Sequence, residues 1–570
     1  MFQLLIAIIF FFLFHTNVQA IYDPLSVPNN KYGIHITDLG DVTAASELIN
    51  STNGDWGYVT LVVPDTDMNK SKWQEIFNVM RRKHLIPLVR IATHAQGDAW
   101  IIPEEHNIDK WVDFLNSLNW PVENRYVILF NEPNHANEWG NTLDPASYGD
   151  MLIKFSKALK TASPDFFILP AGLDASASNT AGTMDEKTYM TNLFEAHPDI
   201  ATYIDGLTSH AYPNPAFSGS PLDTGKGTLA TFRWELSLLR SFGVTKQLPV
   251  FITETGWEHR YGKYVDTRML TPETISEYIK VANIGVWSDS TIVAITPFIL
   301  NYQDNPFDHF SWKKLNSSEY YDHYYTYKGI EKQKGTPKQH EQFLFTSPLL
   351  PDTLVINSTY TLETEIKNIG QSIIDPDDGY VLTIRDESNT FDGFTDSLPI
   401  VEPNGSGMIR AYIKTPKIEG DYQITVMITH GEMRIPVESK TMHIIPPPSA
   451  DLSVTLGWRK NSDNQKATVL LYDLKDTLLH KFTDVDIQNN HLNITGLYQV
   501  APSHQYRVVV LVPYYLPRQA IVTMQENNNN WSVKRLYPFD FNRDGKLTIE
   551  DLPALLFMSP ITILGLFLHA

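Results

Sequence analysis

A chain of 570 residues is long enough for several domains, and 42% apolar with 12% aromatic residues supplies material for large cores. Its 65 acidic against 45 basic side chains give a formal charge of −20, which argues against nucleic acid, whose binding relies on cationic patches. The absence of cysteine from the sequence excludes disulfides, thiolate metal sites and cysteine nucleophiles.

Residues 1–20 read as an export signal. Leu4 to Phe14 is an unbroken apolar run, and Val18-Gln19-Ala20 supplies small residues for cleavage before Ile21. Met1-Phe2-Gln3 lacks a basic residue, so a retained N-terminal anchor is the alternative. Both readings imply a secreted or cell-surface protein.

From Lys31 to Leu300, short apolar runs alternate with amphipathic stretches, the pattern of β/α units. Eight strands are predicted: Tyr32–Ile36, Tyr58–Val63, Ile86–Ile91, Tyr126–Phe130, Phe166–Pro170, Gly206–His210, Val250–Thr253 and Val293–Ile299. Helices are predicted between them at Lys72–Lys83, Ile108–Leu118, Pro145–Thr161, Thr231–Ser241 and Pro272–Ser288. Eight strands in roughly 270 residues match one (β/α)8 TIM barrel, placed at 31–335. An open doubly wound sheet is the alternative, but no Gly-rich dinucleotide turn supports it.

Two of these strands end on a glutamate at a turn: Leu129-Phe130-Asn131-Glu132-Pro133 and Phe251-Ile252-Thr253-Glu254-Thr255-Gly256-Trp257. In a β/α barrel the C-terminal strand tips form the catalytic face. Two carboxyl groups there are the equipment of a glycosidase, one to protonate the leaving oxygen and one to attack or to activate water. Taken singly, each glutamate is more often a solvated strand-end residue; the pair is what carries the reading. Asn131 offers an amide for a sugar 2-hydroxyl. Arg90 closes the third strand and could orient the nucleophile. His210 and Tyr212 follow the sixth, and His35 ends the first, as a subsite residue or a buried structural one. Trp139, Trp257 and Trp312 stand just past strand tips, where they could stack on pyranose faces or fill core. The chemistry needs no metal or cofactor, and the barrel has neither a His-Glu-His cluster nor a Gly-x-Ser-x-Gly elbow.

Asn131-Glu132-Pro133 on the fourth strand and Thr253-Glu254 on the seventh resemble glycoside hydrolase clan A, the retaining β/α-barrel glycosidases. The resemblance covers residues 31–312. It implies Glu132 as acid/base and Glu254 as nucleophile, with double displacement at a β-glycosidic bond. It also implies that His210 and Tyr212 contact the nucleophile or the sugar.

Residues 340–446 alternate as strands, for example Thr359-Tyr360-Thr361-Leu362-Glu363-Thr364-Glu365-Ile366, and read as an immunoglobulin-like β-sandwich. Pro446-Pro447-Pro448 is a stiff spacer before a second all-β module at 451–535. Within 537–570, Asp540, Asn542 and Asp544 occupy positions 1, 3 and 5 of an EF-hand loop. Gly545 stands at 6, the Lys546 carbonyl at 7 and Asp551 at 12. Asp at position 12 resembles a dockerin repeat, so Ca2+ is expected there, with possible scaffold or surface attachment. A dockerin carries two such loops and the sequence has one, which leaves a structural Ca2+ staple equally open. Leu552 to Leu568 is uncharged and at the short limit for a membrane span, which leaves a C-terminal anchor and a helix packed on the Ca2+ loop equally open.

These features describe a secreted glycosidase acting on a polysaccharide or oligosaccharide. The alternatives are a non-catalytic carbohydrate-binding or adhesive surface protein, and a transglycosylase using the same pair.

Overall fold

The computed structural model describes residues 21–460, 462–560 and 563. The export signal at 1–20 and most of the tail beyond 560 lie outside the described residues. The chain forms two compact units, Met1–His340 and Glu341–Ala570.

The first unit is an α/β domain. Its parallel strands are β1 Gly33–His35, β2 Gly57–Pro64, β3 Leu85–Ala92, β4 Arg125–Leu129 and β5 Phe166–Pro170, then β6 Leu207–His210, β7 Val250–Glu254 and β8 Ile292–Ile295. β1 to β5 form one sheet in chain order, and β8-β7-β6 form a second. Isolated parallel bridges stand at both junctions, Tyr32 with Ile295 and Asp174 with His210. The strands are buried on both faces, as parallel strands covered by helices must be. On β2, Val59, Leu61 and Val63 pack under the helices. Tyr58 points the other way and joins Tyr126, Phe167 and Phe251 from β4, β5 and β7 in a separate inner core. The ring centroids of Tyr126, Phe167 and Phe251 lie 5.0–5.6 Å apart, so residues of both sheets share one aromatic cluster.

A helix follows each strand: α1 Val42–Ile49, α2 Lys70–Arg82, α3 Ile108–Asn116, α4 Pro145–Ala162, α5 Glu186–Ala196, α6 Thr231–Ser241, α7 Pro272–Ile284 and α8 Asp322–Lys328. On α2 the turn-spaced Trp73, Phe77 and Met80 face inward and are buried. Side chains of Asn69, Asp144, Asp185 and Thr271 accept a backbone N–H in the first turns of α2, α4, α5 and α7, satisfying donors the helix leaves open. α1, α5 and α8 lie outside the helices predicted above. The eighth strand stops at Ile295, short of the predicted Ile299, because Pro297 has no N–H for a ladder.

The second unit is all-β apart from short helices. An eight-stranded sheet runs from Phe343 to Ile445 with one shared core. Its strand Thr359–Asn368 alternates buried and exposed side chains along much of its length. Beyond it, a three-stranded and a four-stranded sheet cover a second core that includes Leu452, Val469, Val508 and Trp531. The helix Asp551–Leu556 closes the described chain, and no described helix is long and apolar enough to cross a membrane.

Candidate active site

Both glutamates stand at strand tips, and the backbone turns sharply to present them. After β4, Phe130 (φ 73°) and Glu132 (φ 26°) adopt positive φ, which side-chain-bearing residues rarely take. Such conformations persist where surrounding structure enforces them, and they concentrate at functional sites. Glu254 ends β7 and is buried, 7% exposed.

Four neighbours fix the pair. Arg90 at the tip of β3 donates from Nη1 to Glu254 Oε1 (2.5 Å) and to Asn131 Oδ1 (2.6 Å). Tyr212 donates its hydroxyl to Glu254 Oε2 at 3.0 Å. His210 Nδ1 lies 2.6 Å from Glu132 Oε1 and 3.7 Å from Glu254 Oε2. Its ring rests on Gly172, where a Cβ would come within 2.2 Å of His210 Cδ2, so only glycine fits there. His35 Nε2 stands 4.0 Å from Glu254 Oε1.

The charges divide accordingly. Burial pushes the Glu254 carboxyl up, but His210 and Arg90 outweigh it and hold it below its ordinary value, so it stays ionised. His210 shows the reverse contest: burial disfavours its cation, yet Glu254 and Glu132 raise its affinity for a proton. His35 is held down to about 3 by burial and the Arg90 charge, and is neutral at physiological pH. Burial and the Glu254 charge keep Tyr212 a phenol that can only donate to that carboxylate.

These groups line a cavity of about 480 Å³. Of the residues expected from sequence, Arg90, Asn131, Glu132, Tyr212, Glu254 and His35 border it. His210 supports Glu132 from below, 2% exposed. The three expected tryptophans do not border it. Trp139 is fully buried against Phe130 and Tyr148. Trp257 is buried with its indole N–H donated to the Gly219 carbonyl, and Trp312 packs on His323 and Tyr327. Each lies on the helix side of the strands, so core packing takes the face that a sugar would need. The cavity's aromatic wall comes instead from Trp100, Phe217, Phe298, Tyr302, Phe307 and Phe310. The dense run of aromatics after β8 was the available signal for four of these.

Sequence reasoning also missed Glu138 and the His135–Asp174 pair, joined at 2.9 Å. Both border the cavity from loops beyond strand tips. Burial and the Glu132 charge push the Glu138 carboxyl up to about 7, against the pull of Arg90 and Asn131.

Glu132, His210 and Glu254 bring one potential ligand atom each within 4.8 Å of one another, the one such group of metal-binding side chains among the described residues. The 2.6 Å contact between His210 and Glu132 is a hydrogen bond, closer than two ligands about 2 Å from a shared ion would stand. In the C-terminal loop, Gly545 has φ 80°, as the sharp turn at position 6 of a calcium loop requires. Asp540 Oδ1 is buried without a partner, while Asp551 accepts backbone N–H groups of Phe541, Asn542 and Thr548. An unsatisfied buried carboxylate oxygen within an all-oxygen donor set fits Ca2+.

No protein-family model and no curated protein matches the chain. Among solved structures it is similar to glycoside hydrolases. A family 39 enzyme from Bacteroides cellulosilyticus WH2 aligns at 12% identity and TM-score 0.38, over 70% of this chain and 83% of that one. Cel44A, a family 44 endoglucanase from Clostridium thermocellum, aligns at 10% identity and TM-score 0.30, over 86% and 98%. BuGH86, in complex with neoagarooctaose, aligns at 8% and 0.31, over 78% and 81%. The likeness is distant, and the site's chemistry stands on its own geometry.

Proposed function

We propose that the first unit is a closed (β/α)8 barrel and a retaining glycosidase that cleaves β-glycosidic bonds of a polysaccharide. The observation that carries this is the convergence of Glu132 and Glu254 from two strand tips on one cavity, with one oxygen of each within 4.8 Å of the other. Retaining pairs stand about 5–5.5 Å apart, whereas inverting pairs stand about 6.5–9.5 Å apart to admit a water. Closure of the barrel is supported by the two junction bridges and the shared aromatic interior.

In this reading Glu254 attacks the anomeric carbon while Glu132 gives a proton to the leaving oxygen. A covalent glycosyl-enzyme forms; Glu132 then takes a proton from water, which attacks the same carbon and releases the sugar with its configuration kept. Arg90 and Tyr212 hold the Glu254 carboxylate ionised and aimed. Because Arg90 is only a donor, its bond fixes the Asn131 oxygen and turns the amide NH2 toward Glu138, with its second hydrogen left to meet a sugar hydroxyl. The aromatic wall suits the apolar faces of successive sugar rings, and hence a chain.

The test is a panel of β-linked polysaccharides scored for released reducing ends, followed by variants on the best substrate. Glu132→Ala should keep activity on aryl glycosides with good leaving groups and yield a β-glycosyl azide with azide present. Unchanged polysaccharide hydrolysis by Glu132→Ala, or a first-formed product of inverted configuration by proton NMR, would overturn the assignment.

The reading extends to both ends of the chain. The apolar segment 4–14 supports export. Ca2+ in the C-terminal loop would be held by Asp540, Asn542, Asp544, the Lys546 carbonyl and Asp551, as in the dockerin-like pattern. Neutralising those carboxylates would order the loop and the helix after it. Calorimetric titration of the full chain with Ca2+ should give saturable heat, and absence of heat would remove the site.

A further inference from the structure

A cluster of aromatic rings in the second unit reaches the surface. Tyr514 and Phe541 are half-buried against the second core, while Trp458 and Tyr537 are 61% and 50% exposed. Trp458 meets Phe539 edge-on with ring centroids 5.1 Å apart, Phe539 meets Phe541 at 5.9 Å, and Phe541 meets Tyr514 at 6.4 Å. Tyr537 lies along Gly457, where a Cβ would come within 3.3 Å of its Cδ1. Backbone bonds knit the three contributing segments together. Gly457 N–H donates to the Leu536 carbonyl at 2.7 Å, Leu516 N–H to the Tyr537 carbonyl at 2.9 Å, and Phe539 N–H to the Tyr514 carbonyl at 3.0 Å. Trp458 (φ 68°), Tyr514 (φ 70°) and Phe539 (φ 95°) all hold positive φ, which bulky residues rarely adopt. A core gains nothing from turning an indole to water, and such backbone outliers concentrate where a ligand is held.

Cations sit on these rings instead of on carboxylates. The Arg543 guanidinium lies 4.5 Å from the Tyr514 ring centroid, and that of Arg518 lies 5.7 Å from Tyr537. Arg518 spends Nε and Nη1 on the carbonyls of Arg535 and Pro517. The Arg543 guanidinium makes no hydrogen bond or ion pair among the described residues, so its N–H donors stay open. Flat apolar rings therefore stand beside open donors. A pyranose ring offers the complementary surface, a face of C–H groups with a rim of hydroxyl oxygens that accept hydrogen bonds. We propose that Trp458, Tyr537 and Arg543 form a glycan-binding surface on the second unit, and that its ligand is a neutral β-linked sugar chain. An acidic chain is disfavoured because the exposed Asp544 and Glu550 share the loop of Arg543, in a protein of formal charge −20. The choice of a β-linked chain rests on the glycosidase reading. Such a surface gives the protein a second hold on the polymer, which raises the effective concentration of chain at the cleft.

The experiment is affinity electrophoresis of the full chain, with Ca2+ present, through gels containing mixed-linkage β-glucan, xylan or β-galactan. Glu254→Ala serves as the parent, so that no glycan is consumed. At least one glycan should retard the parent. Trp458→Ala should weaken that binding about tenfold, the scale of one stacked aromatic contact together with its buried area. Arg543→Ala should weaken it in the same gel. No retardation of the parent, or a folded Trp458→Ala retarded as strongly as the parent, would overturn the proposal. If Trp458→Ala loses its cooperative thermal transition, Arg543→Ala decides alone by the same criterion. Retardation by polygalacturonate alone would overturn the neutral ligand. Trp458-dependent sedimentation with vesicles of phosphatidylcholine and phosphatidylglycerol, without glycan retardation, would reassign the cluster to a lipid surface. Binding is scored without turnover, which separates the two readings. A wild type that hydrolyses none of these glycans, yet is retarded through Trp458, would refute the glycosidase and keep the surface; hydrolysis without Trp458-dependent retardation would do the reverse.

Discussion

Two pairs of glutamates flank one strand, and the fold treats them in opposite ways. In the cleft, Glu254 has Arg90 on one oxygen and Tyr212 on the other, and Glu132 has His210. Behind β6, the buried Glu186 and Glu235 form no ion pair with an arginine or lysine among the described residues, and burial raises the proton affinity of both. A buried carboxylate can be kept ionised by cations or neutralised by protonation, and the choice decides whether it can serve as a nucleophile.

The sharpest break in that contrast is Glu254→Ala. If Glu254 is the nucleophile proposed above, its removal should cost on the order of 10⁴–10⁶-fold in kcat on every substrate, read by initial rates. Arg90→Ala should cost roughly 10²–10³-fold, the scale of one charge-stabilising donor. Without the cation Glu254 takes up a proton at higher pH, so the acid limb of the kcat/KM profile should move upward; a limb that stays put would separate Arg90 from the nucleophile's charge.

The hidden pair should respond in the opposite sense. Replacing both of its members, as Glu186→Met with Glu235→Met, removes two desolvated acids and should stabilise the fold by about 1–4 kcal/mol, measured by denaturant titration. A large loss of stability would mean that the pair holds α5 and α6 together.

Glu138 stands between the two cases, bordering the cleft yet protonated up to about 7, against an ordinary 4.5. The folded state binds that proton more tightly than the unfolded chain. This contribution to stability is complete below about 4.5 and is lost as pH rises through about 7. Glu138→Gln should therefore flatten the decline of Tm across that window relative to wild type. The smallest effect is expected from chelation: EDTA should leave the proposed glycoside hydrolysis within about twofold while making the C-terminal loop protease-sensitive.

Much of the first unit could be read from sequence because its signals are local. An apolar run, a glutamate and a turn residue mark the tips of β4 and β7. Arg90 ends a strand that is otherwise apolar. The tryptophans stayed ambiguous because an aromatic after a strand tip is equally suited to stacking on sugar or filling core, and only the direction of the chain beyond the tip decides which. Gly172 gave no warning either, since its role is to leave room for a ring from β6.

By itself, then, the sequence determined the alternation of strands and helices and the residues at each strand tip, because periodicity and turn chemistry act over a few neighbours. Tertiary structure decided the rest. It brought Arg90 to Glu254 across 164 residues and His210 to Glu132 across 78. It also set Glu186 against Glu235 in a cavity that no local pattern announces. Charge states followed from those meetings, because a carboxyl group's affinity for its proton depends on burial and on the charges within a few ångströms, whatever their distance along the chain.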